Sequence, residues 1–269
     1  MLSVRDHVHL CLSDPLTPLW WPGLANRLVK ESDAYTEMYS TSQWISSVPP
    51  SKVLHVSSQD DLDLIPSIEL LPPAVAQQFL SKGASFADET SVATYGVYGV
   101  ERALSLLQQV SSIAETVCTV VKRIHILEVS EPGYDISYSE PSIPFSVFLN
   151  ISEGTFSSLR TTEALIHEAM HLQLSLVEKF VPIVNVTEGG YYSPWKRSIR
   201  PLTGLMHALY VFRVIDQWLV QMPKNSQDAM DYAAKRRKEI DEEIQQLAPV
   251  SFSDDLTVEG RNLLSRLLA

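Results

Sequence analysis

The residues best suited to chemistry lie in one stretch, Thr162–Leu176, which reads TEALIHEAMHLQLSL. It contains His167, Glu168 and His171 in an H-E-x-x-H arrangement. Residues four apart on an α-helix lie on the same face about one turn apart, so both imidazoles can bind one metal ion. Glu168 would then lie beside the open coordination position rather than on the metal. The stretch therefore predicts a metal-binding helix with a carboxylate next to the metal.

The flanks of this motif are apolar almost all the way round the expected helix, and Glu168 is the one charged residue between Glu163 and Glu178. Such a helix is expected to be buried. Buried His and Glu side chains need polar partners. The alternative is two core histidines that form hydrogen bonds to their neighbours, with Glu168 paired elsewhere. A shared metal ion satisfies the two imidazoles together and is the favoured interpretation.

A catalytic metal needs a third protein ligand in addition to the two histidines. The extended motif H-E-x-x-H-x-x-G-x-x-H is absent, because Leu174 and Val177 occupy its glycine and histidine positions. Glu188 is near the spacing of a carboxylate ligand but lies in a glycine-rich turn. His207 lies in the apolar segment Leu202–Met222 and is the favoured third ligand; the alternative is a core or supporting histidine. The weaker candidates are His125, His55, His7 and His9.

The segment Tyr191–Pro201, before that second apolar helix, combines three aromatic residues with three cations. An arginine side chain binds a carboxylate through two parallel hydrogen bonds. Arg200 precedes His207 by seven residues and is expected two helical turns below it on one face. A small dicarboxylate could then bind the metal at one end and Arg200, with Arg197 nearby, at the other. The alternative is a basic surface loop with exposed charges.

The elements that must position these residues follow from hydrophobic periodicity and turn signals. The expected helices cover Leu24–Tyr39, Pro73–Lys82, Asp88–Arg123, about Ser158–Phe180, Leu202–Met222, Ser226–Leu247 and Val258–Leu268. The expected strands cover Lys52–Val56, Ile124–Val129, Tyr134–Ser139 and Phe145–Ile151. The last three strands are expected to form a small antiparallel sheet just before the metal helix. The fold class is predicted to be α+β and predominantly helical, with the buried metal helix beside this sheet.

The chain of 269 residues is expected to form one domain. Its predicted parts are a helical and β N-terminal part (1–157), the metal-site helices and loop (158–222), and C-terminal helices (223–269). The net charge of −11 argues against a nucleic-acid partner. No stretch reaches the roughly 18 apolar residues of a membrane span. The two cysteines form no metal-binding pair, and no signal-peptide pattern begins the chain, so a cytoplasmic protein is expected.

The sequence HEAMH with its apolar flanks, followed by YYSPWKRSIRPLTGLMHALYVF, resembles a family of H-E-x-x-H proteins. These are the peptide β-hydroxylases associated with ribosomally synthesised, post-translationally modified peptides, and the similarity covers about Thr161–Trp218. The resemblance implies dependence on iron(II) and 2-oxoglutarate, with a precursor peptide as substrate. It also implies that His167 and His171 bind iron, that His207 is the third ligand, and that Arg200 anchors the 2-oxoglutarate co-substrate.

Two other functions stay open from the residues themselves. H-E-x-x-H alone favours a zinc-dependent peptidase in which Glu168 is the general base for a metal-bound water. A non-catalytic, metal-stabilised peptide-binding protein is the third interpretation. Non-haem iron oxygenases usually use two histidines and one carboxylate, so a third histidine leaves both iron and zinc as candidate metals.

Overall fold

The computed structural model describes residues 2–39, 53–54, 65–71, 76–77, 79, 85–128, 135–139, 145–185, 190–247 and 254–269. The fold is α+β and predominantly helical, as the sequence predicts. No helix in the described ranges is long and apolar enough to cross a membrane. His55 and most of the predicted helix Pro73–Lys82 lie outside the described residues.

The chain divides into two compact units. The first unit combines Met1–Leu28 with Gln173–Ala269, and the second unit is Val29–Leu172. These boundaries do not coincide with the predicted division at residues 158 and 223. The single-domain organisation stays a prediction.

The second unit is built around a mixed sheet. Its strands are β1 (Val53–Leu54), β2 (Ser67–Glu69), β3 (Ser85–Phe86), β4 (Arg123–Glu128), β5 (Ser137–Ser139) and β6 (Ser146–Leu149). The strand order is β1-β2-β4-β6-β5, and β3 pairs with β4 outside this path. Strands β4 and β6 are buried at nearly every position, as expected for central strands covered on both faces.

The predicted pairing of the three strands before the metal helix is wrong in one respect. Strand β5 pairs antiparallel with β6, as expected, but β6 pairs parallel with β4. The reason is that β6, and not β5, lies next to β4 in the sheet. The chain reverses direction between β4 and β5 and again between β5 and β6, so β6 runs parallel to β4.

The predicted continuous helix Asp88–Arg123 is interrupted. The structure has a short helix α3 (Glu89–Ser91), a π-helical turn (Val92–Gly96), then α4 (Val97–Gln108) and α5 (Ser111–Val120). Val110 breaks the helix with φ −120° and ψ 80°. The apolar pattern continues through the break because Leu107, Val110 and Ile113 are all buried, so periodicity alone did not reveal the turn.

The helix predicted over about Ser158–Phe180 is confirmed as α6 (Ser157–Glu178), which contributes residues to both units. Metal binding by this helix stays a prediction. Gly154, at φ +85°, makes the turn that leads into it. Near its start, the Thr162 hydroxyl donates hydrogen bonds to the carbonyls of Ser158 (2.7 Å) and of Ala103 on α4 (3.1 Å). These bonds tie the beginning of α6 to the second unit.

The first unit consists of helices and one hairpin. Its helices are α1 (Val4–Ser13), the start of α2 (Pro22–Tyr39), α7 (Leu202–Gln221), α8 (Gln227–Gln245) and α9 (Val258–Leu268). Its core contains the fully buried side chains of Leu12, Tyr210 and Trp218. The segment 184–201, predicted to be a loop, contains a hairpin of β7 (Tyr191–Ser193) and β8 (Ser198–Arg200). The hairpin was missed because its strands are only three residues long, which is too short for an alternating pattern to be recognised.

Candidate metal centre

The accessible face of α6 carries both motif histidines. Leu165, Ile166, Ala169 and Met170 are buried around the motif, whereas His167 and His171 are partly exposed. The prediction that the two imidazoles are buried is therefore wrong, because they lie on the strip of the helix that faces away from the apolar packing. This position leaves them accessible to a metal ion and a substrate.

The two imidazoles converge. The Nε2 atom of His171 lies 3.2 Å from the Nε2 atom of His167, and the ring planes cross at 66°. Two histidine nitrogens that each lie about 2.0–2.1 Å from one metal ion are roughly 2.9–3.4 Å apart at tetrahedral or octahedral angles. The observed separation fits that requirement. It also fits an Nε2–H···Nε2 hydrogen bond between two neutral rings, which is the arrangement expected of the metal-free side chains.

Glu168 is held beside this histidine pair. Its side chain is 3% exposed, and Oε1 accepts a hydrogen bond of 2.8 Å from the Ser137 hydroxyl on β5. The same oxygen lies 4.0 Å from Nε2 of His167. A hydrogen bond to a carboxylate is stronger than one between neutral groups, and it fixes the orientation of the carboxylate. Glu168 is therefore a buried acidic group that is held in a fixed orientation next to the histidine pair.

Sequence reasoning did not single out Ser137. The alternation of Ile136 and Tyr138 in this segment places Ser137 on the opposite face of the strand. This alternation could have identified Ser137 as a polar residue on the strand face opposite Ile136 and Tyr138. The identity of its partner was not readable, since Ser137 and Glu168 are 31 residues apart.

The structure does not complete the predicted three-histidine set. In the part of the chain that is described, no three His, Cys, Asp or Glu side chains form a group that could hold a metal ion. The structure thus brings together His167 and His171, with Glu168 beside them. The pair supplies suitable nitrogen donors, and the third ligand stays a prediction.

His207 lies on α7 in the first unit. Its Nε2 atom is 2.9 Å from Oε2 of Glu178, the last residue of α6. The two side chains are 12% and 22% exposed, so the pair is largely shielded from water. An imidazole that donates one N–H to a carboxylate has its tautomer fixed and keeps its other nitrogen as an acceptor.

Arg197 and Arg200 are exposed at the β7–β8 hairpin. Neither forms an ion pair within the described ranges. The prediction that Arg200 lies on one helix face with His207 is wrong, because Arg200 ends β8 and the helix begins only at Leu202, after Pro201. Anchoring of a dicarboxylate by Arg200 remains a prediction.

The weaker histidine candidates have other contacts. His125 is 2% exposed, lies 2.8 Å through Nδ1 from the Glu69 carbonyl, and stacks on Phe148. Burial lowers the pKa of His125 to about 4. It is therefore a neutral core histidine. On α1, the Nδ1 atom of His7 lies 3.0 Å from Nη1 of Arg27. The Nδ1 atom of His9 lies 3.1 Å from Oε1 of Glu259.

No protein-family model matches this chain, and no curated protein matches it either.

Proposed function

We propose that this protein is an iron(II)- and 2-oxoglutarate-dependent hydroxylase that adds a hydroxyl group to Cβ of a side chain in a ribosomally made precursor peptide. The observation that carries the proposal is the 3.2 Å separation of the His167 and His171 Nε2 atoms beside the positioned carboxylate of Glu168. The H-E-x-x-H stretch and the segment that follows it resemble the peptide β-hydroxylases. This resemblance selects hydroxylation among the reactions that one metal ion held by two histidines could support.

The overall reaction balances without a further reductant. One atom of O₂ enters the Cβ hydroxyl group, the other enters succinate, and 2-oxoglutarate loses CO₂. Ferrous iron, when bound, supplies the activation of O₂ that couples the oxidation of 2-oxoglutarate to cleavage of the Cβ–H bond.

The residues of the chain have separate tasks in this proposal. His167 and His171 would hold the metal through Nε2, and the sequence predicts His207 as the third ligand. Arg200 would bind the distal carboxylate of 2-oxoglutarate, with Arg197 nearby. Ser137 holds Glu168 in place beside the two histidines.

A zinc-dependent peptidase is the second candidate, and the position of Glu168 favours it. A general base must lie within hydrogen-bond reach of the water that it deprotonates. Oε1 of Glu168, 4.0 Å from His167 Nε2, is close enough to reach a water bound where the two histidines converge. In this case Glu168 would accept the proton and the water would attack a peptide carbonyl.

One set of measurements separates these candidates. The protein is purified without added metal, its metal content is measured, and it is supplied with Fe(II), 2-oxoglutarate, O₂ and a candidate precursor peptide. The hydroxylase produces succinate together with a peptide heavier by one oxygen atom. Peptide cleavage that requires zinc and proceeds without O₂ would replace the proposal with the peptidase. Metal binding with neither product would leave a non-catalytic metal-stabilised protein.

Arg200→Ala provides a second separation. If Arg200 anchors the co-substrate, the apparent KM for 2-oxoglutarate rises about 10-fold or more, because a bidentate ion pair is lost. Lys235→Ala, at an exposed position on α8, is the control. An unchanged KM in Arg200→Ala would remove this residue from the co-substrate site while leaving the reaction itself intact.

A further inference from the structure

The hairpin formed by β7 and β8 has two unlike faces. Tyr192 pairs directly with Ile199, while Tyr191 pairs with Arg200 and Ser193 with Ser198. Because side chains alternate along a strand, Tyr192 and Ile199 share one face of the hairpin. The other face carries Ser193, which is 2% exposed and therefore points into the first unit.

The inward side is fastened to the first unit at several points. The Tyr191 hydroxyl donates a hydrogen bond to Asp255. Trp195, in the turn of the hairpin, stacks on Phe212 of α7 with ring centroids 5.2 Å apart. The Arg236 guanidinium lies 5.2 Å from the centre of the same Phe212 ring. These contacts make the hairpin a fixed platform rather than a loose loop.

The outward side exposes two large apolar side chains next to each other. Tyr192 is 47% exposed and Ile199 is 67% exposed. A β-carbon at Gly190 would lie 2.4 Å from a methyl group of Ile199, so this side chain rests on bare backbone. Ile199 is thus fixed in position although it faces water. Adjacent exposed apolar side chains in a fixed arrangement are typical of an interaction surface.

The charge of this region is opposite to that of the whole chain. Between Glu188 and Asp216 the sequence contains no acidic residue, whereas the chain as a whole has a net charge of −11. Lys196 and Arg197, in the turn, are exposed and form no ion pair within the described residues. A ligand that complements them carries carboxylates.

We propose that this hairpin binds an extended acidic peptide, through the exposed pair Tyr192 and Ile199 and through the exposed turn residues Lys196 and Arg197. An extended chain places alternate side chains on one side, so an apolar residue can contact Tyr192 and Ile199 while carboxylates pair with the two cations. The inference stands on the hairpin alone and not on the proposed metal chemistry.

The test is a binding measurement on the full-length, metal-free protein. The probe is a fluorescein-labelled decapeptide of alternating Glu and Val, compared with one of alternating Lys and Val, in fluorescence anisotropy titrations. The Glu-Val peptide is expected to bind at least about 10-fold more tightly than the Lys-Val peptide. Raising the salt concentration to about 0.5 M is expected to weaken its binding, because exposed charge pairs are screened.

Two variants and two matched controls locate the surface. Lys196→Glu and Ile199→Ser are each expected to weaken Glu-Val binding about 10-fold, since each removes one kind of contact. Lys235→Glu and Val258→Ser, at an exposed lysine and an exposed aliphatic residue elsewhere in the first unit, are expected to have no effect. Melting temperatures establish that all four variants fold.

Three results would overturn the proposal. They are equal binding of the two peptides, equal effects of the variants and their controls, and no binding of the Glu-Val peptide. None of these results bears on hydroxylation, which the product assays measure separately.

Discussion

Gln173 and the histidine pair belong to the same helix, yet their polar atoms have different kinds of partners. Gln173 is fully buried, and its Nε2 donates to the Tyr210 hydroxyl at 2.6 Å and to the Leu19 carbonyl at 3.3 Å. His167 and His171 are partly exposed and direct their Nε2 atoms at one another. The donors of Gln173 are used by the core of the first unit, whereas the two histidines form a pair of nitrogens that a ligand can reach.

This difference separates structural from functional burial of polar groups. A polar side chain that serves the fold is bonded to backbone or to neighbouring core side chains. A metal-binding pair instead keeps its donor atoms close together and accessible, with a supporting residue behind them. Changes at the histidine pair should therefore alter metal binding with little effect on stability, and changes at Gln173 and its partners should do the reverse.

The largest expected effect is at the histidine pair itself. His171→Ala leaves one imidazole at the site and is expected to weaken ferrous-ion binding about 1000-fold, or ~4 kcal/mol. The reason is that a single histidine cannot chelate the ion. Calorimetric titration with Fe(II) under anaerobic conditions measures the change. His9→Ala, at a histidine that contacts Glu259 on α9, is the control. Equal Fe(II) affinities of wild type and His171→Ala would show that the histidine pair does not bind the ion and does not differ in role from Gln173.

The next effect concerns His125, a buried imidazole with a structural partner. Burial lowers its folded-state pKa from 6.5 to about 4. Between these values the unfolded chain binds a proton that the folded protein does not, so stability falls as the pH decreases from 6.5 toward 4. The loss amounts to about 3 kcal/mol. Urea unfolding near pH 7 and near pH 4.5 measures it.

His125→Phe should remove this part of the pH dependence while keeping the ring stacked on Phe148. Phe148→Leu is the control, because it disturbs the same contact but retains the titrating group. The His125 account is wrong if the two variants lose stability with decreasing pH to the same extent.

A smaller effect is expected at the Tyr210 hydroxyl. This group accepts the hydrogen bond from Gln173 and donates to the Leu19 carbonyl at 2.7 Å. Tyr210→Phe removes both bonds and leaves Gln173 Nε2 and the Leu19 carbonyl with only their mutual 3.3 Å hydrogen bond, which costs about 2 kcal/mol. The aromatic stacking of residue 210 on Trp21 is retained. Chemical denaturation should show the loss, and Fe(II) affinity should be unchanged. A parallel loss of metal affinity would mean that the two stretches of α6 are not functionally separate.

The smallest expected effect comes from the support behind the pair. Ser137→Ala removes the hydrogen bond that orients Glu168 and is expected to lower turnover about 10-fold, because the acidic group then loses its fixed position beside the histidine pair. Ser139→Ala, two residues along the same strand, is the control. A Ser137→Ala variant with wild-type turnover would show that the orientation of Glu168 has no part in the site.

Local patterns were predictable from sequence, and long-range partners were not. The helix that carries His167 and His171, the second apolar helix and the convergence of the two imidazoles depend on residues a few positions apart, and the structure has all three. The parallel pairing of β4 and β6, the break at Val110 and the Ser137–Glu168 bond depend on which distant segments meet. Hydrophobic periodicity is a local pattern and does not show which distant segments are in contact. Arg200 was misplaced because it ends strand β8, before the helix begins at Leu202, so a helical spacing from His207 does not apply to it.

The most direct test of the account is X-ray absorption spectroscopy at the iron edge on protein loaded anaerobically with one equivalent of Fe(II). The account predicts one bound ion per chain whose scattering requires at least two imidazole nitrogens at about 2.1 Å. This signature should disappear in the His167→Ala, His171→Ala double variant. A spectrum without imidazole scattering, or one that the double variant reproduces, would contradict the claim that these two histidines bind a metal ion.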